Sequence, residues 1–416
     1  MKIGYACTIV GLPLAKMKTC RMKDASPEKI SLLVEHNLHT LQEMMAYNQR
    51  HKIELFRISS DLIPFGSSPV NSVLWWEEFQ ELFFEIGKII RAGKIRVSMH
   101  PGQYTVLNSP NREVVNRAIL DLDYHCKVLD CLGTDSTSKI ILHIGGVYED
   151  RQSAIERFKQ NYQLLSPQVK RRLVIENDDR SFCAQEVLEI AKELGIPMIF
   201  DVFHHEVLPS IENKSIQAWV ENVSTTWKKE DGTQKIHYSQ QNPDKKAGAH
   251  SETICLAQFI DFFHQVENQN MDIMLEVKDK NVSALKCKLA LIKPIPIPEI
   301  EKEWGRYKYL MLEHSHRHYL LIRAYLKNKD EINPVKFYGI IEEGLQQTQT
   351  NGGVANAAMH VWGYFKNKAN PKQKKVYDKL ICSQQAGENK QKSLKSFLLK
   401  LAIEYEETYL LESYYF

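Results

Sequence analysis

The sequence predicts an α/β fold, a (β/α)8 barrel of the TIM type, followed by a smaller all-α domain. Eight short apolar segments before residue 280 alternate with stretches of helical spacing, as parallel βαβ units do. No glycine-rich phosphate turn follows the first segment, where an open doubly wound sheet would more often carry one. Beyond Lys293-Pro294-Ile295-Pro296-Ile297-Pro298, with proline at every second position, residues 302–413 show helical periodicity throughout.

The strand segments are 2–7 (KIGYAC), 53–60 (IELFRISS), 95–101 (IRVSMHP), 139–146 (KIILHIGG), 172–179 (RLVIENDD), 197–205 (PMIFDVFHH), 233–240 (TQKIHYSQ) and 272–279 (DIMLEVKD). Runs this short and this apolar are buried on both faces. Helical spacing falls between them at 27–50, 76–93, 112–131, 151–165, 183–195, 213–227 and 254–267. The domains expected are a barrel over 1–292, a stiff connector over 293–301 and a helical domain over 302–416, with about five amphipathic helices.

Composition narrows the class. The chain of 416 residues is 43% hydrophobic and 25% charged, as soluble globular proteins are. No apolar stretch is long enough to span a bilayer, and Met1-Lys2-Ile3-Gly4-Tyr5 leads into a strand rather than a signal peptide. The eight cysteines form no CxxC pair, so they read as reduced thiols in a cytoplasmic protein. The net charge of +3 is divided unevenly. Residues 301–416 hold 18 Lys and Arg against 13 Asp and Glu, or +5, which leaves −2 for residues 1–300. An acidic barrel that binds DNA needs bound cations or local basic patches.

Active-site groups of such barrels sit at the C-terminal ends of the strands. There the sequence has His100 on the third strand, His143 on the fourth, Glu176 on the fifth, and Asp201 with His204 on the sixth. His237 falls on the seventh, His250 in the loop after it and Glu276 on the eighth. Singly, each has a bland reading: a packed histidine, a helix cap, a rim ion pair. Their repetition at one end of the strands carries the weight. Imidazole nitrogen and carboxylate oxygen are ligands of Zn²⁺ and Mn²⁺, and so many groups suit two or three ions, bridged by Glu176, Asp201 or Glu276. Ions about 3.5–4 Å apart suit phosphodiester hydrolysis.

The segments HPGQY (100–104), LHIGG (142–146), ENDD (176–179), DVFHH (201–205), KIHYS (235–239) and LEVKDK (275–280) resemble, in order and spacing, those of the UV-damage endonuclease family of the UvdE/UvsE type. The resemblance covers nearly all of residues 1–290. It implies a TIM barrel related to endonuclease IV, with a cluster of divalent ions, Mn²⁺ first and Zn²⁺ or Mg²⁺ as alternatives. It also implies one cut in duplex DNA immediately 5′ of a lesion, leaving 3′-hydroxyl and 5′-phosphate ends. Cyclobutane dimers, 6-4 photoproducts and abasic sites are the lesions implied. The metal ligands it implies are His100, His143, Glu176, Asp201, His204, His237, His250 and Glu276, with Glu176, Glu276, Asp201 and Lys235 as the catalytic set. Lys235 matches a family lysine that can carry a modification; its other reading is a lysine paired with a neighbouring carboxylate. Gln103 and Tyr104 match residues inserted into the duplex at the lesion, and Tyr5 matches a further lesion-binding residue.

Segments 304–309 (WGRYKY) and 356–366 (NAAMHVWGYFK) resemble a bacterial helical family of unknown function, of the YbgA type, whose partner is open. His314, His316, His318 and His360 read either as metal ligands or as polar positions on packed helices. Ten lysines between 366 and 400 suit DNA backbone or a solvated face. The alternative function for the barrel is a metal-dependent sugar isomerase or epimerase, against which the Gln103-Tyr104 pair speaks. A damage-binding protein without catalysis would have little use for eight metal-competent groups.

Overall fold

A computed structural model describes residues 1–12, 15–148 and 150–416. The strands are β1 (Ile3–Ala6), β2 (Leu55–Ile58), β3 (Arg96–Met99), β4 (Ile140–His143), β5 (Leu173–Glu176), β6 (Met198–Asp201), β7 (Gln234–Tyr238) and β8 (Met271–Leu275). They are parallel, pair in sequence order and close as β8 returns to β1. All eight expected strands form, and each lies inside its expected segment save β8, which starts one residue earlier. A closed parallel sheet leaves no edge, so each strand is covered on both faces, which is why the segments read as apolar runs.

Helices fill the connections where spacing predicts them. Ser26 accepts from the Lys29 amide (3.3 Å) ahead of the helix Pro27–Arg50, and Asn111 from the Glu113 amide (2.9 Å) ahead of Arg112–Cys131. Caps of this kind contribute about 1 kcal/mol each. Pro167–Arg172, Val202–Val207 and Asn281–Leu291 are helices outside the expected set. The first two are shorter than two turns, too short for a 3.6-residue period to show.

Because side chains alternate along a strand, every second residue points into the barrel. Leu55, Ala6 and Met274 pack together there, and so do Ile141, Val174 and Ile199. Two residues further along the same strands stand Arg57, His143, Glu176, Asp201 and Glu276. The site is therefore the layer above an apolar one. Towards the other end, Arg96 pairs with Asp272 (3.1 Å) and Lys139 with Asp231 (2.5 Å). Gly4 occupies an inward position where β1 approaches β2 so closely that a Cβ would lie 2.0 Å from the Leu55 carbonyl oxygen. Gly4→Ala is expected to lose about 3 kcal/mol, because backbone rather than a flexible side chain stands in the way. A thermal melt equal to that of the wild type would show that β1 can retreat.

Contacts divide the chain into two compact units, the larger holding all eight strands. The second, from Lys286 onward with Cys255–Phe259, contains the helices Ile297–His314, His316–Tyr325, Pro334–Leu345, Asn351–Trp362, Pro371–Gln385 and Gln391–Glu404, and the short Thr408–Leu411. Six long helices replace the five expected. The helix starting at Ile297 takes up part of the expected 293–301 connector, because Pro298 is tolerated in a first helical turn. No described helix is long and apolar enough to cross a membrane.

Candidate metal centre

Glu176, the last residue of β5, is 1% exposed and stands at the middle of the cluster. Its Oε1 meets His237 Nδ1 at 2.5 Å; its Oε2 meets His100 Nε2 at 3.0 Å and lies 3.7 Å from His143 Nε2. His237 Nδ1 is also 3.1 Å from Glu276 Oε1 and 3.9 Å from Asp201 Oδ2. Among the described residues two ligand groups result, His100–His143–Glu176 and Glu176–Asp201–His237–Glu276, joined at Glu176. His204 and His250 stand beside them. The His204 ring is 5.7 Å from that of His143 and 6.2 Å from that of His250.

Three histidines share one hydrogen-bond habit. His100 Nδ1 donates to the Pro101 carbonyl (3.0 Å), His204 Nδ1 to Asn177 O (2.9 Å) and His250 Nδ1 to Glu276 O (2.6 Å). A carbonyl on Nδ1 fixes the tautomer and leaves Nε2 to a ligand, as the outer shell of a metal site does. Asp201 Oδ2, His237 Nε2 and His143 Nδ1 are buried without hydrogen-bond partners. Leaving such atoms unsatisfied costs on the order of 1–3 kcal/mol each. The donor set fits divalent cations.

The electrostatics agree. Burial pushes the Glu276 carboxyl up, but Arg57 and then His237 outweigh it and hold it below the usual range. Burial likewise opposes ionisation of Glu176, and His237 and His143 outweigh it. Burial disfavours a charged His204, yet Asp201, Glu176 and Glu276 draw its imidazole up to about 9, whereas burial takes His143 down to about 4. The three carboxylates thus favour positive charge on His204, while burial, the larger effect at Asp201, pushes that carboxyl up.

The acidic block after β5 divides its work. Only Glu176 belongs to a ligand group. Asn177 clamps β6, accepting from the Asp201 amide (2.9 Å) and donating to its carbonyl (3.0 Å). Asp178 accepts from the backbone amides of Arg180 (2.7 Å), Ser181 and Phe182 (3.1 Å). A cleft of about 260 Å³ joins Gln103, Val106, His143, Gly145, Asp179 and His204, and so reaches two of the expected ligands. Tyr104 is 77% exposed and Gln103 is exposed.

One expectation changes and two readings left open are narrowed. Tyr5 is not brought to the site: flanked by the inward Gly4 and Ala6, it points outward. It is fully buried there, with its hydroxyl on Asn48 Oδ1 (2.6 Å) and its ring edge-on to Phe56. Lys235 points inward one layer below His237. It is buried, with no hydrogen-bond partner for Nζ, and burial and then Arg96 hold it well below lysine's ordinary value. Asp272, its strand partner, pairs with Arg96 instead. His314, His316, His318 and His360 form no ligand group among the described residues. His314 Nε2 bonds Gln349 (2.7 Å), His318 Nδ1 bonds Ser315 (2.8 Å), and the His316 ring lies parallel to that of Tyr319.

Arg57, absent from the expected set, pairs with Glu276, each side chain 14% exposed. A lone arginine in the apolar run IELFRISS was its signal. Ser60 supports the site further out, its hydroxyl donating to His100 O (2.5 Å) and meeting His125 Nε2 at 3.0 Å.

A family model described as UV-endonuclease UvdE matches residues 1–303, and a protein family of unknown function (DUF1722) matches residues 308–416. A UV DNA damage endonuclease of Clostridium perfringens (strain 13 / Type A) is 37% identical over 405 residues, covering 96% of each chain. One of Bacillus mycoides (strain KBAB4) is 32% identical over 277 residues, covering 66% of this chain and 87% of its own. The crystal structure of SacUVDE has 38% identity and a TM-score of 0.65, covering 69% of this chain and 96% of that one.

Proposed function

The chain belongs to the UV-endonuclease UvdE family, and from that premise we propose that its barrel nicks duplex DNA once, immediately 5′ of cyclobutane dimers, 6-4 photoproducts and abasic sites. The chain is a DNA-repair endonuclease, which displaces the sugar-isomerase alternative. The observation that carries the reading is the double contact of Glu176, one oxygen for each ligand group.

His100, His143, Glu176, Asp201, His237 and Glu276 would hold the ions, with His204 and His250 completing the shell. Bound there, two or three divalent ions, manganese first and zinc or magnesium as alternatives, supply an activated water and neutralise charge on the phosphate and the departing oxygen. The carbonyls on the Nδ1 atoms of His100, His204 and His250 aim these rings, and Asn177 holds the Asp201 end of β6 in register with Glu176. Lys235 serves beneath His237 as a buried amine open to modification. Gln103 and Tyr104, exposed at the rim, enter the duplex where a damaged dinucleotide is poorly stacked and costs little to displace.

The test is a duplex carrying one cyclobutane dimer, incubated with manganese and with chelator. The expected result is a single nick immediately 5′ of the dimer, lost with chelator and restored by added manganese. A cut elsewhere, or one indifferent to chelator, would overturn the reading. Gln103→Ala with Tyr104→Ala should lower nicking about 10- to 100-fold, as loss of stacking against a base does, with bound metal unchanged. Metal content falling with activity would place the pair in the ligand shell instead.

A further inference from the structure

Segments 304–309 and 356–366, which mark the helical unit as a family of its own, take no part in the metal centre, yet they converge on each other. The Tyr309 and Tyr364 hydroxyls lie 2.8 Å apart. Tyr409 lies near-parallel to Tyr364, with ring centroids 6.1 Å apart and 20° between the planes, and donates to Gly305 O at 3.1 Å. Trp304 is 5.5 Å from Tyr319. Tyr409 is 40% exposed, Trp304 and Tyr364 are half-buried, and Tyr319 is buried behind them.

Two cations stand among the rings. Lys308 Nζ is 5.1 Å from the centroid of Tyr309, and the Arg323 guanidinium is 5.6 Å from that of Tyr319. The nearby Lys302, Arg306 and Lys329 each have a carboxylate, on Glu299, Glu303 and Glu301. Lys308 and Arg323 have none among the described residues. Burial and then Arg323 lower the ammonium of Lys308, so the two like charges strain against each other without neutralisation. The exposed Lys366 follows Tyr364 by two residues and opens the lysine-rich stretch.

A ligand for this face must bring negative charge to the cations and flat rings to the aromatics. A sugar lacks the charge, and a duplex hides its base faces. A single strand has both. We infer that Trp304, Lys308, Arg323, Tyr364 and Tyr409 form a binding face for single-stranded DNA, with bases on the rings, phosphates on the cations, and the buried Tyr319 ring backing Trp304 and Arg323 from beneath. The choice of DNA over RNA rests on the nuclease reading; the stacking argument does not.

The experiment is fluorescence anisotropy of a labelled oligothymidylate, about 20 nucleotides long to exceed one site, titrated with the full chain in chelator. Tyr364→Ala and Tyr409→Ala should each weaken binding about ten-fold, while Tyr364→Phe and Tyr409→Phe keep it. Lys308→Gln with Arg323→Gln, which leaves the rings in place, should lower the salt slope by about 1–2. Glu176→Gln should bind the strand as the wild type does. Alanine variants with wild-type affinity, or phenylalanine variants as weak as alanine, would overturn the face. Tighter binding of oligouridylate would overturn its assignment to DNA. Nicking of the dimer-bearing duplex is read separately: its absence beside ring-dependent strand binding removes the barrel reading and supports the face.

Discussion

Glu176→Gln is expected to reduce nicking by about three orders of magnitude while leaving the barrel folded. Both ligand groups run through this one carboxylate, whose Oε1 serves His237 and whose Oε2 serves His100 and lies near His143. An amide of the same shape keeps one acceptor but replaces the other with a donor, and it removes the charge that two cations would share. If that forfeits about 4 kcal/mol of transition-state stabilisation, the rate falls about 10³-fold. Stability should change little, since the amide fills the same volume and takes a buried charge out of the interior. Three measurements decide the matter: nicking rate, bound metal per chain, and melting temperature. Low activity with low metal and an unchanged melt is the expected pattern. Nicking within a few-fold of the wild type would remove Glu176 from the reaction.

The eight strands and the end of the barrel that carries the chemistry are legible in the sequence, because apolar runs and strand-end histidines are local signals. What is not legible is the face each side chain takes. In a parallel barrel both faces are apolar, so period-two alternation leaves no trace in composition. Tyr5 and Arg57 show the consequence. Tyr5 matches a lesion-binding position yet is flanked by inward neighbours, so it turns to Asn48 and away from the cluster. Arg57 lies two residues beyond the inward Leu55 and so enters the cluster, although it is neither histidine nor acid. In the ENDD block only Glu176 joins a ligand group; what the other residues do is invisible in the sequence, because backbone amides claim Asp178 and the clamp to β6 claims Asn177. Long-range hydrogen bonding of this kind depends on which strands become neighbours, and only the closed sheet fixes that.

Arg57→Gln should destabilise the metal-stripped protein strongly and the manganese-loaded protein much less. Glu276 faces Glu176 and Asp201 across a buried cluster, and the Arg57 guanidinium is its direct partner. Removing one member of such a pair leaves an uncompensated carboxylate, at a cost of about 3–5 kcal/mol. For a chain of this size that corresponds to a melting temperature lower by roughly 3–6 °C in chelator. A divalent cation at Glu276 supplies the charge that the arginine supplied. Metal should therefore bind the variant at least as tightly as the wild type and, by binding only the folded state, raise its stability more. The sign of that difference separates two roles for Arg57. If the melting gap narrows on adding manganese, the arginine and the metal act on the same carboxylate charge. A gap as wide with manganese as without it would mean that the arginine and the metal act independently, Arg57 contributing as much with the ions bound as without them.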